Sequence, residues 1–172
     1  MNCLYVINIG KVVSYNMLKY VDTKVVFQEV PDEITLAINI SGCPVKCSGC
    51  HSKYLWEDVG EPLNSDSLHH LIENHNGITC VAFMGGDSSP YEIKDLAMFV
   101  RVAYPKLKIA WYSGRETIPN GIMLNLQDFD FIKLGPYKEE FGPLNSRITN
   151  QRFYKVVNGE LIDITSVFWK NR

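Results

Sequence analysis

The sequence predicts an α/β fold built on a mostly parallel sheet. Three observations carry that prediction. The 172 residues amount to about one domain at roughly 150 residues each. Apolar residues at 46% against charged residues at 21% leave enough material for a packed core. Segments with apolar residues at period two alternate with segments of helical spacing, joined by short turns. The chain, 1–172, is therefore read as a single domain, with residues 1–30 as an irregular or β-rich leader that holds one short strand, Lys24-Val25-Val26-Phe27.

The first strong strand begins at Ile34, where Ile34, Leu36, Ile38 and Ile40 share one face and β-branched residues dominate. It leads directly into a cysteine-bearing loop, residues 41–52. Ser65 or Asp66 is then placed to cap a helix whose Leu68, Leu71 and Ile72 recur at helical spacing. Ile78 to Met84 reads as a second strand. Ser89-Pro90-Tyr91-Glu92 offers a hydroxyl cap, a proline at the first helical position and a glutamate to close a capping box. Ile93, Leu96, Ala97 and Val100 give that helix its buried stripe, and Pro105 stops it. Leu107 to Tyr112 and Phe129 to Leu134 follow as strands, and Phe153 to Val157 pairs with Leu161 to Ile164 across Asn158-Gly159. Strand–helix–strand repeats imply right-handed crossovers, and in such sheets chemistry collects at the carboxyl ends of the strands.

Lys+Arg at 17 against Asp+Glu at 19 leaves a formal charge of -2, which offers no basic surface for nucleic acid. No apolar run approaches the roughly 18 residues of a membrane span, and the first residues show no basic segment followed by a signal-type apolar stretch. A cytoplasmic protein with no nucleic-acid or membrane partner is expected. The cysteines number five, and Cys43, Cys47 and Cys50 crowd into one short stretch. An odd, clustered set does not suit a disulfide framework and points to a metal.

The stretch Ser41-Gly42-Cys43-Pro44-Val45-Lys46-Cys47-Ser48-Gly49-Cys50-His51 has the spacing C-x3-C-x2-C. Three thiolates on a short glycine-containing loop can hold three corners of an iron–sulfur cube, and the missing fourth leaves one iron open to a substrate. The alternative is a zinc site completed from a distance by His69, His70, His75 or Cys80. Zinc loops pair C-x2-C units with a second pair downstream, which this chain lacks. His51 adjoins Cys50 and makes a poor fourth ligand. Cys80 lies in an apolar strand and reads as a buried thiol, Cys3 as a bystander and Lys46 as a solvated loop residue.

With these residues in place, the chain resembles the radical S-adenosylmethionine (SAM) enzymes, whose signature is this spacing after the first barrel strand. Gly42 to Cys50 followed by Trp56, with Gly49 before the third cysteine, is most similar to the subfamily of activases of anaerobic ribonucleoside-triphosphate reductase. Phe83-Met84-Gly85-Gly86-Asp87 resembles the family's Gly-Gly-acid segment, although Ser88 and Ser89 precede Pro90. Trp111-Tyr112-Ser113-Gly114 resembles its aromatic-Ser/Thr-Gly turn. Asp130 to Tyr137 and Thr149-Asn150-Gln151-Arg152 resemble two late activase motifs.

The resemblance implies an incomplete (β/α) barrel of the radical SAM type and a 4Fe–4S cluster on Cys43, Cys47 and Cys50. It places SAM contacts at Gly49, His51, Gly85, Gly86, Asp87 and Ser113, with no catalytic side chain beyond cluster and SAM. It further implies a glycyl radical generated on the partner reductase and a low-potential electron donor such as flavodoxin. Set against this, His51 also suits a solvent-exposed loop residue, Gly85-Gly86 a simple turn, Trp111 and Tyr112 core or rim aromatics, and Arg147 and Arg152 surface ion pairs or docking. Rival functions are a pyruvate formate-lyase-type activase and a non-catalytic zinc or redox module.

Overall fold

The computed structural model describes residues 17–123 and 126–169. Its strands are β1 (Lys19–Val26), β2 (Thr35–Ile40), β3 (Glu61–Pro62), β4 (Cys80–Met84), β5 (Lys108–Tyr112), β6 (Phe131–Leu134), β7 (Arg152–Val157) and β8 (Glu160–Asp163). Its helices are α1 (Ser65–Glu73), α2 (Pro90–Ala103) and the single turn α3 (Asn120–Met123). All eight strands form one open sheet in the order β3-β1-β2-β4-β5-β6-β7-β8. Cys3 and the first half of the leader lie outside the described residues. No helix among those described is long and apolar enough to cross a membrane.

The central strands β2, β4, β5 and β6 pair in parallel, as the strand–helix alternation predicts. The flanks do not: β1 pairs antiparallel with both β2 and β3, and β7 with both β6 and β8. The sheet is thus mixed rather than mostly parallel. A parallel pair needs a crossover of a dozen or more residues, whereas residues 27–34 between β1 and β2 are too few, and residues 135–151 between β6 and β7 hold no helix. The last hairpin turns on Asn158 and Gly159, both at positive φ (53° and 78°), the geometry of a primed two-residue turn.

Because β2, β4, β5 and β6 run in one direction across the sheet, right-handed crossovers set α1 and α2 on the same face. Leu68 and Ile72 of α1 and Ile93, Leu96, Ala97 and Val100 of α2 bury there against Leu36, Ile38, Val81, Phe83, Ile109, Trp111 and Ile132. The opposite face carries Ala37, Ala82 and Ala110 in one row, with Val30, Phe131 and Phe153 buried and Leu144, Ile164 and Phe168 partly covering them. A groove of about 520 Å³ lies on this side, lined by Gln28, Glu29, Pro31, Tyr112, Leu144 and Phe168 among others.

Two caps differ from the sequence expectation. Asn64, not Ser65 or Asp66, caps α1: its side chain accepts from the Ser67 backbone N–H while the Ser67 hydroxyl accepts from the Asn64 N–H. Asparagine is as good a cap as serine, and the box closes one residue earlier. At α2, Ser89 makes no side-chain cap bond: the Glu92 N–H donates to the Ser89 backbone carbonyl at 3.1 Å. The Glu92 carboxylate, the other half of the expected box, accepts the Leu18 backbone N–H at 2.9 Å, a long-range bond to the segment before β1.

Candidate metal centre

The cysteine loop starts where β2 ends, at the carboxyl end of the parallel strands. Gly42, Lys46 and Gly49 take positive φ, at 69°, 46° and 74°, so the backbone curls within a few residues, and glycine adopts such angles without steric cost. Lys46 is exposed, as expected. The loop is fastened from outside: the Gly42 N–H donates to the Glu57 carbonyl and the Cys43 N–H to the Leu55 carbonyl, each at 3.0 Å. Leu55 is buried and acts as the peg for this strap. Within the loop, the Cys50 N–H reaches the Cys47 carbonyl at 3.2 Å and the Ser52 N–H donates to Cys50 Sγ at 3.3 Å.

Cys43, Cys47 and Cys50 are all free thiols of intermediate burial. Burial raises the pKa of Cys47; a bond from the Tyr137 backbone N–H opposes it, and the neighbouring Cys50 and Cys43 push it up further. The thiolate is the form that binds metal, and an N–H aimed at sulfur favours that form. The three sulfurs are therefore near enough to sense one another. Yet no three His, Cys, Asp or Glu side chains among the described residues are gathered around one point as a single metal ion would need. The chemistry of the donor set, three thiols on one short loop, is that of an iron–sulfur cluster.

The proposed zinc partners lie elsewhere. Cys80 begins β4 beside Thr35, at the amino end of the parallel strands, and is fully buried; burial holds its thiol well above the usual range. On α1, His69 Nδ1 pairs with the Tyr104 hydroxyl at 2.5 Å; just past the end of that helix, His75 Nδ1 lies 2.7 Å from the Leu71 carbonyl.

The glycines after β4 are dictated by packing. Gly85 and Gly86 have φ of 111° and 83°; a Cβ on Gly85 would come within 3.1 Å of the Ile40 carbonyl oxygen, and one on Gly86 would overlap the Ile93 side chain. Asp87, only 1% exposed, accepts hydrogen bonds from the Ser113 hydroxyl at 2.6 Å and the Gly114 N–H at 2.7 Å. The Arg115 guanidinium donates to the Asp87 carbonyl at 2.6 Å. Asp87 and Ser113, predicted as separate ligand contacts, are thus each other's partners and lock the β4 and β5 turns together. Gly114 in turn lies against Val45 of the cysteine loop, where an added Cβ would stand 2.9 Å from Val45 Cγ2.

A second wall comes from the segment after β6. The His51 ring meets Tyr137 edge-on, centroids 5.4 Å apart, and Gly49 leaves space that a Cβ would contest with Glu139 Oε2 at 3.2 Å and Tyr137 at 3.3 Å. The late motifs brace this wall. Asn150 Nδ2 donates to the Pro136 carbonyl at 2.9 Å, and Arg152 donates to the Thr149 and Gln151 carbonyls and faces Asp163 at 3.6 Å. Asp130 accepts from Arg101 at 2.7 Å and from the Ile109 N–H at 2.9 Å, fastening α2 to the sheet. Residues 34–152, which contain all of these parts except Asp163, match the family model described as a 4Fe-4S single cluster domain.

The chain belongs to that family. As a 4Fe-4S single cluster domain it is an iron–sulfur protein, and Cys43, Cys47 and Cys50 are the thiols whose loop placement suits the cluster. No curated protein and no solved structure matches the chain. Of the site residues expected from sequence, the structure brings Gly49 and His51 to the cysteine loop and Gly85, Gly86, Asp87 and Ser113 to the adjacent turns.

Sequence reasoning gave no role to Asn39, Met84 or Lys133 in the floor beneath them, and read Tyr112 as a core or rim aromatic. Asn39, Met84, Tyr112 and Lys133 are register partners at the carboxyl ends of successive strands, on the side opposite the helices. Tyr112 donates its hydroxyl to the Glu29 carbonyl, and burial holds it protonated. The signal was in the period-two pattern: each stands two residues beyond a buried residue of the open face, namely Ala37, Ala82, Ala110 and Phe131.

Proposed function

We propose that this iron–sulfur domain is a radical SAM activase that generates a glycyl radical on an anaerobic ribonucleoside-triphosphate reductase. The observation that carries the reading is a loop with three thiols whose fourth described thiol, Cys80, lies at the other end of the sheet. Three protein ligands leave one corner of a cluster for a substrate chelate. When bound and reduced, the cluster would supply the electron that splits SAM into methionine and a 5′-deoxyadenosyl radical, which takes hydrogen from a glycine Cα of the reductase.

The chain's own part is to bind, orient and shield. Cys43, Cys47 and Cys50 hold the cluster. Gly49, His51 and the turns at Gly85-Gly86 and Ser113-Gly114 frame the space beside it, with Asp87 fixing those turns from below. The open sheet, whose four central strands run parallel with α1 and α2 on one face, supports the reading of an incomplete barrel. A low-potential cytoplasmic donor such as flavodoxin would deliver the electron.

The test is anaerobic reconstitution with iron and sulfide, reduction, addition of SAM and product analysis, followed by mixing with the reductase and electron paramagnetic resonance (EPR). 5′-Deoxyadenosine and a glycyl radical signal are expected. An intact cluster that yields no 5′-deoxyadenosine overturns the reading, as does native material carrying one saturated zinc ion.

A further inference from the structure

Lys133 lies on β6 in the floor row and is only 9% exposed. A lysine ammonium so far from water needs compensation. Its Nζ donates to the Gly135 carbonyl at 2.6 Å and lies 3.5 Å from the Ser113 carbonyl; these are dipoles and carry no formal charge. Asp87 is near, yet its oxygens are already engaged by Ser113 and Gly114 and lie 3.7 Å from Arg115 Nε. The carbonyl that anchors Lys133 opens the turn Gly135-Pro136-Tyr137, whose Tyr137 N–H reaches the Cys47 sulfur. One short segment thus ties the ammonium and the metal loop together. Burial pulls Lys133 down to about 8, while negative charge on Cys47, then Asp87, then Cys43 pushes it back up.

We propose that Lys133 is a built-in counter-cation of the metal centre, a positioning residue whose fixed charge beneath Cys43 and Cys47 makes the cluster easier to reduce. The inference rests on the cluster reading above and is independent of SAM. On reduction by dithionite, one electron passes from the sulfur dioxide radical anion, oxidised to sulfur dioxide, to the cluster. No bond in the protein breaks and no proton moves. The cluster and its three thiolates gain one negative charge, and a buried cation in a medium of low dielectric stabilises that product more than the oxidised form.

A merely structural lysine would only satisfy the Gly135 carbonyl, which a glutamine can also do. The test compares the reconstituted full chain with Lys133→Arg, Lys133→Gln and Lys133→Met, each assayed for iron and sulfide and then titrated with dithionite and viologen mediators without SAM, with the reduced cluster read by EPR. At the potential where half of the parent is reduced, the arginine variant should stay within about twofold of the parent's reduced-to-oxidised ratio. The glutamine and methionine variants should fall about tenfold or more, which is about 59 mV for one electron.

Lys133→Gln with full iron and the parent's midpoint overturns the proposal. Loss of iron from the glutamine and methionine variants but not from arginine supports it, since charge is then what holds the centre. Equal effects in all three overturn it in favour of shape. A parent chain that takes up no iron sinks the cluster reading and this inference together, so the two failures are distinguishable.

Discussion

The two faces of the sheet are built from the same strands and differ in what they tolerate. The helix-bearing face interdigitates large side chains, with Trp111 stacked on Phe129 at 5.9 Å and Phe83 fully buried. The open face is lined by alanines in its middle row and by Asn39, Met84, Tyr112 and Lys133 at its carboxyl end. Period-two alternation lets one strand serve both faces. The second face is also packed in its middle, where Ala82, Ala110, Phe131 and Phe153 are buried, so what sets it apart is its carboxyl end.

The largest expected effect separates the loop from the core. Cys43→Ala, Cys47→Ala or Cys50→Ala should each abolish the iron–sulfur absorbance of reconstituted protein, whereas Cys80→Ala should keep it; equal loss from all four would show that the ligand set is wrong. Next, Phe83→Ala should cost about 3–5 kcal/mol in urea unfolding with iron per folded chain unchanged. Loss of iron without loss of stability would merge the two faces.

A mid-sized effect probes the seam between loop and sheet. Gly114→Ala presses a methyl group on Val45 and should cost about 1–3 kcal/mol and weaken iron retention in dialysis. Adding Val45→Ala should recover most of both, by a coupling that additive effects would not give.

The smallest effect tests polar detail on the helix layer, where Tyr104 donates to Glu73 at 2.9 Å. Tyr104→Phe should cost about 1 kcal/mol or less. Burial first, and the Glu73 hydrogen bond second, raise Tyr104 to about 12, so the folded chain holds this proton more tightly than the unfolded one. That stability is complete below the ordinary tyrosine value of about 10 and is lost as pH rises through about 12. The phenylalanine variant should lack this part of the alkaline decline in unfolding midpoint.

The parallel core and the thiol loop were legible because their signals are local: β-branched alternation from Ile34, proline at the first position of α2, three cysteines in one loop. What escaped depends on distant partners. Glu92 looked like half of a capping box and serves Leu18. Asp87 and Ser113, expected as ligand contacts, are joined to each other by a hydrogen bond that the sequence does not announce. Lys133, in an otherwise apolar strand, gains its meaning only when β6 is placed beside β5 and the cysteine loop above both. The antiparallel flanks were underestimated because connection length, not strand composition, decides their direction.

The outermost described strands also have a bearing on solubility. On one side Glu61 and Pro62 cover only Lys19 and Tyr20 of β1 and leave Val21–Val26 at the margin, where Asp22 and Lys24 interrupt the apolar residues; on the other the sheet ends in the four residues of β8, with Glu160 and Asp163. Charged side chains along a sheet margin discourage a passing chain from pairing with it. The sheet can stay unclosed without inviting its neighbours to extend it into a fibre.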